Sequence, residues 1–443
     1  MVVTCRRITV TAQPTSSSKF ADQNGEEPAA SLSRRTLLAG VVGAISATLL
    51  DNASALHAQA KGLVPSPPAL ADPGKVQGHI PTELGERSPF EHPRRRVNRP
   101  APAGESETPL QDLFGTITPA DLHFERHHGG VPIIDPARYT LLIHGMVERP
   151  LEFTLADLKR FPAVNRMCFI ECSGNGYRGF QTTAMKREAT PSWIDGLLST
   201  SEWTGVPLAT LFREAGARPD AKWFLAEGSD AAHMTRSIPV EKGLDDAMIA
   251  YAQNGEAIRP EQGYPARLVL PGWEGNSQVK WIKRIELAKE PFMTREETSK
   301  YTDPLANGTA RMFSFVMDAK SLITFPAYPA TVSKGWCVIT GLAWSGRGNI
   351  TRVEVSTDGG NTWTSAELQA PVLSKCTTRF RHVWKYDGGE ALLMSRAVDE
   401  TGYVQPTRTQ LLAARGAGTF YHLNNIRGWK VERGGKVFFH VET

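Results

Sequence analysis

The sequence MCFIECSGNGYRGF, residues 167–180, combines the pattern of a buried strand with that of a tight turn. Its first four residues are apolar, as in a strand that lies inside a sheet. Gly174 and Gly176 follow, and glycine lets the backbone adopt positive φ angles and approach a bulky ligand closely. Cys172 lies at the start of this turn, where a thiolate suits a soft or high-valent metal that already has sulfur ligands. The alternative is a cysteine that only packs as a small apolar side chain, the reading that we adopt for Cys168.

The composition is that of an ordinary soluble globular protein. The chain has 443 residues, enough for two or three domains, with 41% hydrophobic and 22% charged residues. A net charge of +4 gives no indication of a nucleic acid or membrane partner. The five cysteines include no CxxC pair, which argues against a disulfide scaffold, a zinc site or an iron–sulfur site. The CxxCH pattern of c-type haem attachment is also absent, so we expect no haem in this chain.

Residues 1–60 predict an export signal. The twin-arginine sequence SRRTLL at 33–38 is followed by a mostly apolar stretch, residues 39–50. That stretch is too short for a membrane-spanning helix, which needs about 20 residues. Small residues allow cleavage after Ala55 or Ala60. We therefore expect a periplasmic protein exported by the twin-arginine pathway, which carries proteins already folded.

The rest of the chain divides into three segments. Residues 61–105 contain nine prolines and predict an extended arm without its own core. Residues 106–305 mix short strands with short helices in no regular βαβ order, and they lack GxGxxG and Walker loops, which favours an irregular α+β domain. The clearest elements predicted there are strands at 139–145 and 267–270 and helices at 154–161 and 206–215.

From residue 306 to residue 443 the pattern changes to short strands at regular intervals. Residues 352–356 alternate polar and apolar side chains, and Asp358-Gly359-Gly360-Asn361 predicts a turn before a return strand near Trp363. Further strands are predicted at 380–386, 391–398 and 437–441. Such a series predicts an immunoglobulin-like β-sandwich.

Two further patterns indicate an anionic ligand. The segment DLHFERHHGGVP, residues 121–132, is dense in donors that suit a phosphate-bearing ligand, although a solvated surface loop is the alternative. Arg267 begins one apolar run and Lys280 interrupts another, and a cation in such a place usually has an anionic partner. The alternative is a side chain that extends along the surface from a strand end. Arg427, by itself, reads as part of a surface loop.

Together these motifs resemble the sulfite oxidase family of molybdenum enzymes over about residues 110–443. The matching segments are FERHH, ECSGN, GYPARLVLPG, QVKW, GLAWSGRGNITRVEVSTDGGNTW, AVDETGYVQP and NIRG. The resemblance implies a mixed α/β molybdopterin-binding domain, within the α+β class, at residues 106–305. It also implies an immunoglobulin-like β-sandwich dimerisation domain at residues 306–443, and a molybdenum cofactor.

The resemblance also implies roles for individual residues. Cys172 matches the metal ligand, and with it the cofactor-binding set comprises Phe124, Glu125, Arg126, His127, His128, Asp230, Arg267, Gln278, Val279 and Lys280. The catalytic set comprises Cys172, Arg126, Tyr301 and Arg427, and the substrate-binding set comprises Arg126, Arg178, Trp193, Tyr301 and Arg427. Gln262 stands where relatives often have a histidine.

One departure from the family concerns the substrate. Relatives have paired arginines directly after the CxGN motif, whereas this chain has Gly176-Tyr177-Arg178. Either Arg178 takes that role through a shifted turn, or the pocket has one cation fewer. Tyr177 and Arg178 therefore mark the place where we expect this site to differ from the family pattern.

The expected partner is an electron acceptor. The HPGG motif of the cytochrome b5 domain in animal sulfite oxidases is absent, so electrons are expected to leave to a separate protein. Within the family the resemblance is closest to SoxC-type sulfane dehydrogenase subunits, whose usual partner is a c-type dihaem cytochrome, SoxD, in a heterotetramer. This branch implies a sulfur-carrier protein as substrate.

Two alternatives remain open. The first is a stand-alone sulfite dehydrogenase that uses a soluble cytochrome c. The second, from a different class, is a non-catalytic β-sandwich adaptor without a cofactor. A methionine sulfoxide reductase is disfavoured because those relatives lack the C-terminal β-domain.

Overall fold

The computed structural model describes residues 74, 80–99, 103–305 and 307–441. The predicted export signal, residues 1–60, lies outside the described residues. The chain divides after Glu86, and every element below belongs to the unit that begins at Arg87. None of the helices described is both long enough and apolar enough to cross a membrane.

The first domain is built mainly from short strands. Its strands are β1 (Arg96–Arg99), β2 (Glu105–Glu107), β3 (Glu125–Arg126), β4 (Thr140–Gly145), β5 (Leu151–Thr154), β6 (Val164–Glu171), β7 (Leu198–Pro207), β8 (Trp223–Gly228), β9 (Thr235–Pro239), β10 (Met248–Gln253), β11 (Glu256–Ala257), β12 (Arg267–Val269), β13 (Ile282–Ala288), β14 (Asp303–Pro304) and β15 (Ala310–Arg311). Its helices are α1 (Leu155–Arg160), α2 (Pro191–Asp195), α3 (Leu208–Ala215), α4 (Val240–Asp245) and α5 (Arg295–Thr298).

Two five-stranded sheets organise this domain. One has the order β11-β10-β7-β6, with β12 also paired to β10, and the other has the order β5-β4-β13-β8-β9. Only the β4–β13 pair within these two described sheets is parallel. A smaller sheet pairs β1 with β2 and β2 with β3, so the C-terminal end of the predicted arm forms a strand beside the donor-rich segment. The mixture of strands and short helices confirms the predicted α+β class.

Local sequence determines the start of α1, whereas pairing with a distant strand determines the start of α3. Thr154 caps α1 through a capping box, because its hydroxyl accepts a hydrogen bond from the N–H of Asp157 while the Asp157 carboxylate accepts one from the N–H of Thr154. The helix predicted at 206–215 begins only at Leu208. Val206 and Pro207 instead complete β7 and pair with Ile249 and Met248 of β10. That prediction was wrong at its N-terminal end because the buried position of Val206 in the sheet outweighs local helix propensity.

The second domain is a β-sandwich. Its elements are β16 (Lys320–Phe325), β17 (Gly335–Trp344), β18 (Ile350–Ser356), β19 (Thr364–Ser365), β20 (Glu367–Gln369), β21 (Thr378–Tyr386), β22 (Ala391–Asp399), α6 (Arg408–Arg415), β23 (Gly428–Val431) and β24 (Val437–Phe439). One sheet has the order β16-β17-β21-β20 and the other the order β19-β18-β22-β23-β24, and all pairs within them are antiparallel.

Apolar side chains from both sheets form the core of the sandwich. Leu322 and Phe380 project from the first sheet, and Val353 and Trp429 from the second, all of them fully buried. Along β18, Val353 and Val355 are buried while Arg352 is exposed, which is the alternation expected of a strand with one face on a core. The predicted β-sandwich is therefore confirmed.

A buried group of charges joins the two domains. The ammonium nitrogen of Lys320, on β16, lies 3.1 Å from a carboxylate oxygen of Glu171 and 2.6 Å from one of Asp195. The indole N–H of Trp344 donates to the second oxygen of Glu171 at 2.7 Å. All four side chains are at most 1% exposed. Because Glu171 precedes Cys172, the second domain is attached directly to the Gly-rich turn.

We predict that Lys320→Met destabilises the protein strongly. The substitution leaves two buried carboxylates without their shared cation, and breaking a buried ion pair from one side costs about 3–5 kcal/mol. Urea unfolding should detect this loss. Lys430→Met is the matched control, since the Lys430 ammonium lies 3.6 Å from Glu390 and its side chain is 47% exposed, where an ion pair contributes about 1 kcal/mol or less. Equal effects of the two substitutions would contradict the prediction.

Candidate active site

One cavity lies at the end of β6, where the Gly-rich turn begins. It encloses about 660 Å³, part of it open to solvent. Ten of the residues predicted from sequence line it: Phe124, Arg126, His127, His128, Cys172, Asp230, Arg267, Gln278, Lys280 and Tyr301. Segments separated by more than 170 positions in the sequence thus meet around one space.

Backbone hydrogen bonds hold Cys172 at the edge of this cavity. Its N–H donates to the carbonyl of Leu197 at 3.0 Å, and its carbonyl accepts from the N–H of Asn175 at 2.8 Å. The Asn175 side chain donates to Glu171 at 2.9 Å and accepts from the N–H of Leu197 at 3.0 Å, which closes the turn. Gly176 adopts a φ of 91°, and a Cβ there would lie 2.5 Å from a guanidinium nitrogen of Arg427. The turn therefore requires glycine at this position.

The protonation of Cys172 depends on what binds beside it. Burial raises the pKa of its thiol to about 11, while Arg126 acts in the opposite direction. The thiol is therefore protonated at neutral pH unless a metal ion stabilises the thiolate. Within the described residues, no three His, Cys, Asp or Glu side chains are grouped so that they could hold a metal ion. A metal at Cys172 would thus take its other ligands from a cofactor or from solvent.

Two further cations line the cavity, the buried Arg267 and the partly buried Lys280. Burial lowers the pKa of Arg267 to about 9, and burial together with Arg267 lowers the pKa of Lys280 to about 7. Arg267 donates to the carbonyls of Gln262 and Gln278 at 2.9 and 3.0 Å. Lys280 donates to the carbonyls of Arg126 and Glu261 at 2.9 and 2.8 Å. In the described part of the chain, neither cation forms an ion pair with a carboxylate.

These features fit an anionic cofactor. The Nε atom of Arg267 and the Nε2 atom of His123 are buried and have no hydrogen-bond partner among the described residues. A buried polar atom without a partner is costly. The Nε of Arg267 is a donor, which a bound phosphate or pterin acceptor would satisfy. The Nε2 of His123 is an acceptor, because the Nδ1 of the same ring donates to the carbonyl of Phe124 at 3.0 Å, so an N–H group of a pterin would satisfy it. A bound anion would also restore the ordinary pKa of Lys280.

Arg126 reaches the cavity from β3, beside a carboxylate. Its Nη1 donates to the carbonyl of His127 at 2.6 Å, and its Nε lies 3.7 Å from Glu105. Arg178 donates to the other oxygen of Glu105 at 2.9 Å and also contacts Glu107. Arg178 does not line the cavity. Its predicted role in substrate binding stays a prediction, and its two carboxylate partners favour a supporting role through Glu105.

Trp193 and Arg427 also lie away from the cavity wall. The Arg427 side chain is buried, with its Nε 3.3 Å from Asp195 and its Nη2 donating to the carbonyl of Gly176 at 3.2 Å. Trp193, on α2, packs in the core that continues into the sandwich, and the Arg178 guanidinium lies 5.1 Å from its ring. Both residues thus lie on the side of the Gly-rich turn that faces away from the cavity. Their predicted place in an oxyanion pocket stays a prediction.

Tyr301 and His128 form a hydrogen-bonded pair at the cavity edge. The Tyr301 hydroxyl lies 2.9 Å from Nε2 of His128. Burial raises the pKa of Tyr301, and burial with the adjacent Arg126 lowers the pKa of His128 to about 4. Both groups are therefore neutral at neutral pH. Tyr301 adopts a φ of 51°, an uncommon angle for a tyrosine that orients its ring toward the site.

Two predicted cofactor contacts do not line the cavity. Glu125 pairs with His127 at 2.9 Å and with Arg95 at 3.3 Å, so it supports the cavity wall from outside. The Val279 side chain packs in the core of the first domain. Its carbonyl accepts a hydrogen bond from the N–H of Leu268 at 2.9 Å, so its backbone is also engaged within the protein. Both assignments stay predictions.

Sequence reasoning missed several lining residues. They are His123, Ile170, Met234, Gly275, Asn276 and Trp281, and Gln262 also lines the cavity. His123 lies within the donor-rich segment, and Asn276 lies just before the QVKW motif. Their closeness to these motifs is the one feature of the sequence that could have identified them as cavity residues. Asn276 donates to Ser173 at 2.9 Å and accepts from Arg236 at 2.7 Å, and it thereby connects the turn to a buried arginine that the sequence did not single out.

Comparison with protein families defines the class of this chain. Residues 128–296 match the oxidoreductase molybdopterin binding domain, and residues 311–428 match the Mo-co oxidoreductase dimerisation domain. The cavity lies mainly within the first match, which implies a molybdenum cofactor. The chain thus combines the two domains that define the class of molybdopterin-binding oxidoreductases.

Comparison with individual proteins identifies the family within this class. The chain is similar to the crystal structure of the sulfane dehydrogenase SoxCD from Paracoccus pantotrophus, with a TM-score of 0.81 and 44% identity over 86% of this chain and 100% of that chain. It is 30% identical to mitochondrial sulfite oxidase of Mus musculus over 72% of this chain and 62% of that protein. It is 31% identical to NADH nitrate reductase of Ulva prolifera over 58% of this chain and 33% of that protein. This chain belongs to the sulfite oxidase family of molybdenum enzymes. It spans between about a third and three fifths of the length of these curated relatives.

We predict that Lys280 makes the stability of the cofactor-free protein depend on pH. Its pKa is about 7 when folded and 10.5 ordinarily, so between these values the unfolded chain binds more protons than the folded one. Stability therefore rises with pH across this window. Urea unfolding of the cofactor-free protein from pH 7 to pH 9.5 should detect this rise, and Lys280→Met should lack it. An identical pH dependence in both proteins would contradict the prediction.

Proposed function

We propose that this chain is the molybdenum subunit of a periplasmic dehydrogenase that oxidises sulfur compounds. Its substrate is sulfane sulfur bound to a carrier protein, or sulfite, and its electrons pass to a c-type dihaem cytochrome subunit. The observation that carries the proposal is the 44% identity to the sulfane dehydrogenase SoxCD over the whole of that chain. The cavity that contains Cys172, Arg126 and Tyr301 supports it.

The cavity residues divide between the cofactor and the substrate. When bound, a molybdenum cofactor supplies two-electron oxidation and oxygen-atom transfer. Cys172 would be the protein's ligand to the metal. Arg267 and Lys280 would hold the anionic part of the cofactor, because both are cations without a carboxylate partner among the described residues. Gln278 and Asp230 lie beside them on the cavity wall.

Arg126 and Tyr301 lie on the side of the cavity proposed for the substrate. A guanidinium presents several N–H donors in one plane and binds anionic oxygens well. The Tyr301 hydroxyl can donate a hydrogen bond to the same group. Because His128 is neutral, its Nε2 and the Tyr301 hydroxyl can share one hydrogen bond, which holds that hydroxyl in place at the cavity edge.

The second domain and the N-terminal segment support the cellular setting that we propose. Residues 311–428 match a dimerisation domain, which fits a heterotetramer of two such chains with two SoxD-like cytochromes. The twin-arginine sequence in residues 33–38 fits export to the periplasm of a protein that already holds its cofactor. The cytochrome would receive electrons at a surface close to the cavity.

We predict that Cys172→Ser abolishes turnover of both sulfite and carrier-bound sulfane. A serine hydroxyl is a hard, weakly acidic group that cannot replace a thiolate at a soft metal site. Cytochrome reduction measures activity, and elemental analysis measures molybdenum per chain. Cys337→Ser on β17 is the matched control and should keep both wild-type values. Appreciable turnover in the Cys172 variant would contradict the ligand assignment.

The choice between substrates requires a direct comparison. The mature protein is mixed with a c-type dihaem cytochrome of the SoxD type and supplied either with free sulfite or with sulfane sulfur on a carrier protein. Cytochrome reduction is then followed. We expect faster reduction with the carrier-bound sulfane. Fast reduction by free sulfite alone would favour a stand-alone sulfite dehydrogenase with a soluble cytochrome c. A preparation without molybdenum and without activity would favour the non-catalytic adaptor.

A further inference from the structure

Four aromatic rings form a continuous row from the cavity to the protein surface. Tyr301 lines the cavity, and its ring centroid lies 5.2 Å from that of Tyr421. Tyr421 lies 5.3 Å from Phe420, and Phe420 lies 4.4 Å from Tyr177. Such separations are typical of interacting aromatic pairs. We call these four residues the aromatic row.

The aromatic row is attached to the turn that contains Cys172. The N–H of His422 donates to the carbonyl of Ser173 at 2.8 Å. A Cβ built on Gly174 would lie 3.6 Å from the ring of Phe420, which is ordinary van der Waals contact. Phe420 therefore lies directly above the turn, two residues from the thiol. The aromatic row thus meets the cavity at Tyr301, and its other three rings lie beside the cavity without lining it.

Phe420 leaves apolar area available at this place. Its side chain is 44% exposed, whereas Phe180, below the row, is 1% exposed. Tyr177 packs against the small core that contains Phe180 and is partly exposed. Phe420 is thus exposed beside a Tyr177 ring that packs on a core, so a ligand can contact the Phe420 ring without rearrangement of the side chains.

Most cations near the aromatic row already contact carboxylates of the protein or belong to the part of the cavity proposed for the cofactor. Arg178 contacts Glu105 and Glu107, and the Nε of Arg427 lies 3.3 Å from Asp195. Of the three described cations that line the cavity, Arg267 and Lys280 belong to the part proposed for the cofactor. Arg126 remains as the cation on the substrate side.

This arrangement suits a particular kind of substrate. Free sulfite is a small, strongly hydrated anion, and its transfer into a cavity is costly unless several donors replace its water. One guanidinium replaces that water incompletely. An organic persulfide or S-sulfonate, by contrast, has a charged end for Arg126 and an apolar portion that can pack on the exposed rings of Phe420 and Tyr177.

We propose that Phe420 and Tyr177 are specificity-determining residues that favour a sulfur atom attached to an organic group, such as a cysteine side chain of a peptide, over free sulfite. The proposal rests on the proposed function, since it concerns the substrate side of the same site. It predicts that removal of a ring weakens binding of an organic sulfur anion and leaves binding of an inorganic one unchanged.

Binding can be measured without turnover. Calorimetric titration of the molybdenum-containing protein with S-sulfocysteine and with sulfate compares an organic and an inorganic sulfur anion. Phe420→Ala should weaken S-sulfocysteine binding about fivefold to tenfold, the effect expected for one lost ring contact, and leave sulfate binding unchanged. Phe420→Leu, which keeps apolar area, should recover part of the loss. Phe420→Arg should reverse the preference, because it adds a second cation for sulfate.

The controls separate this proposal from the proposed function. Trp336→Ala is the matched control, since Trp336 lies on β17 and its side chain is 74% exposed; it should change neither affinity. Ferricyanide reduction with glutathione persulfide and with sulfite should show the same selective change in kcat/KM for Phe420→Ala. If the wild type oxidises neither substrate, the proposed function fails while the titration still decides specificity. Equal changes for both anions, or no change for either, would overturn the specificity proposal.

Discussion

The shared position of Lys320 between Glu171 and Asp195 is the contact on which the site depends most. Its ammonium group neutralises two carboxylates that are fully excluded from water. Although burial acts to raise the pKa of Asp195, Lys320 and Arg427 lower it. An uncompensated charge at this depth would be costly. The position of Cys172 is consequently fixed by charges that the other domain supplies, and the turn cannot shift without disturbing the junction between the domains.

The parts of the fold that could be predicted from sequence are those that neighbouring residues determine. The capping box of α1 involves residues three positions apart, and the alternation along β18 is visible within seven residues. The turn after β6 was predictable because its glycines are required locally. Ten of the residues that the family resemblance singled out line one cavity, since the motifs that carry the resemblance are the segments that surround it.

Other features could not be predicted, because they depend on partners far away in the sequence. Arg427 reads as a surface residue until Asp195, 232 positions earlier, is placed beside it. The contacts of Arg178 with Glu105 and Glu107, more than 70 positions earlier, are likewise invisible in the sequence around it. Val206 continues a helical pattern, yet its pairing with β10 keeps it in a strand. In each case a tertiary contact outweighs the local signal, and the chain carries no local mark of that contact.

The hydrogen bond from His422 to Ser173 ties a late part of the chain to the turn that contains Cys172. The residues that line the cavity lie between positions 123 and 301, so the C-terminal part of the second domain supports the turn without lining the cavity. A chain whose synthesis stopped before residue 422 could therefore form the lining but would lack this contact with the turn.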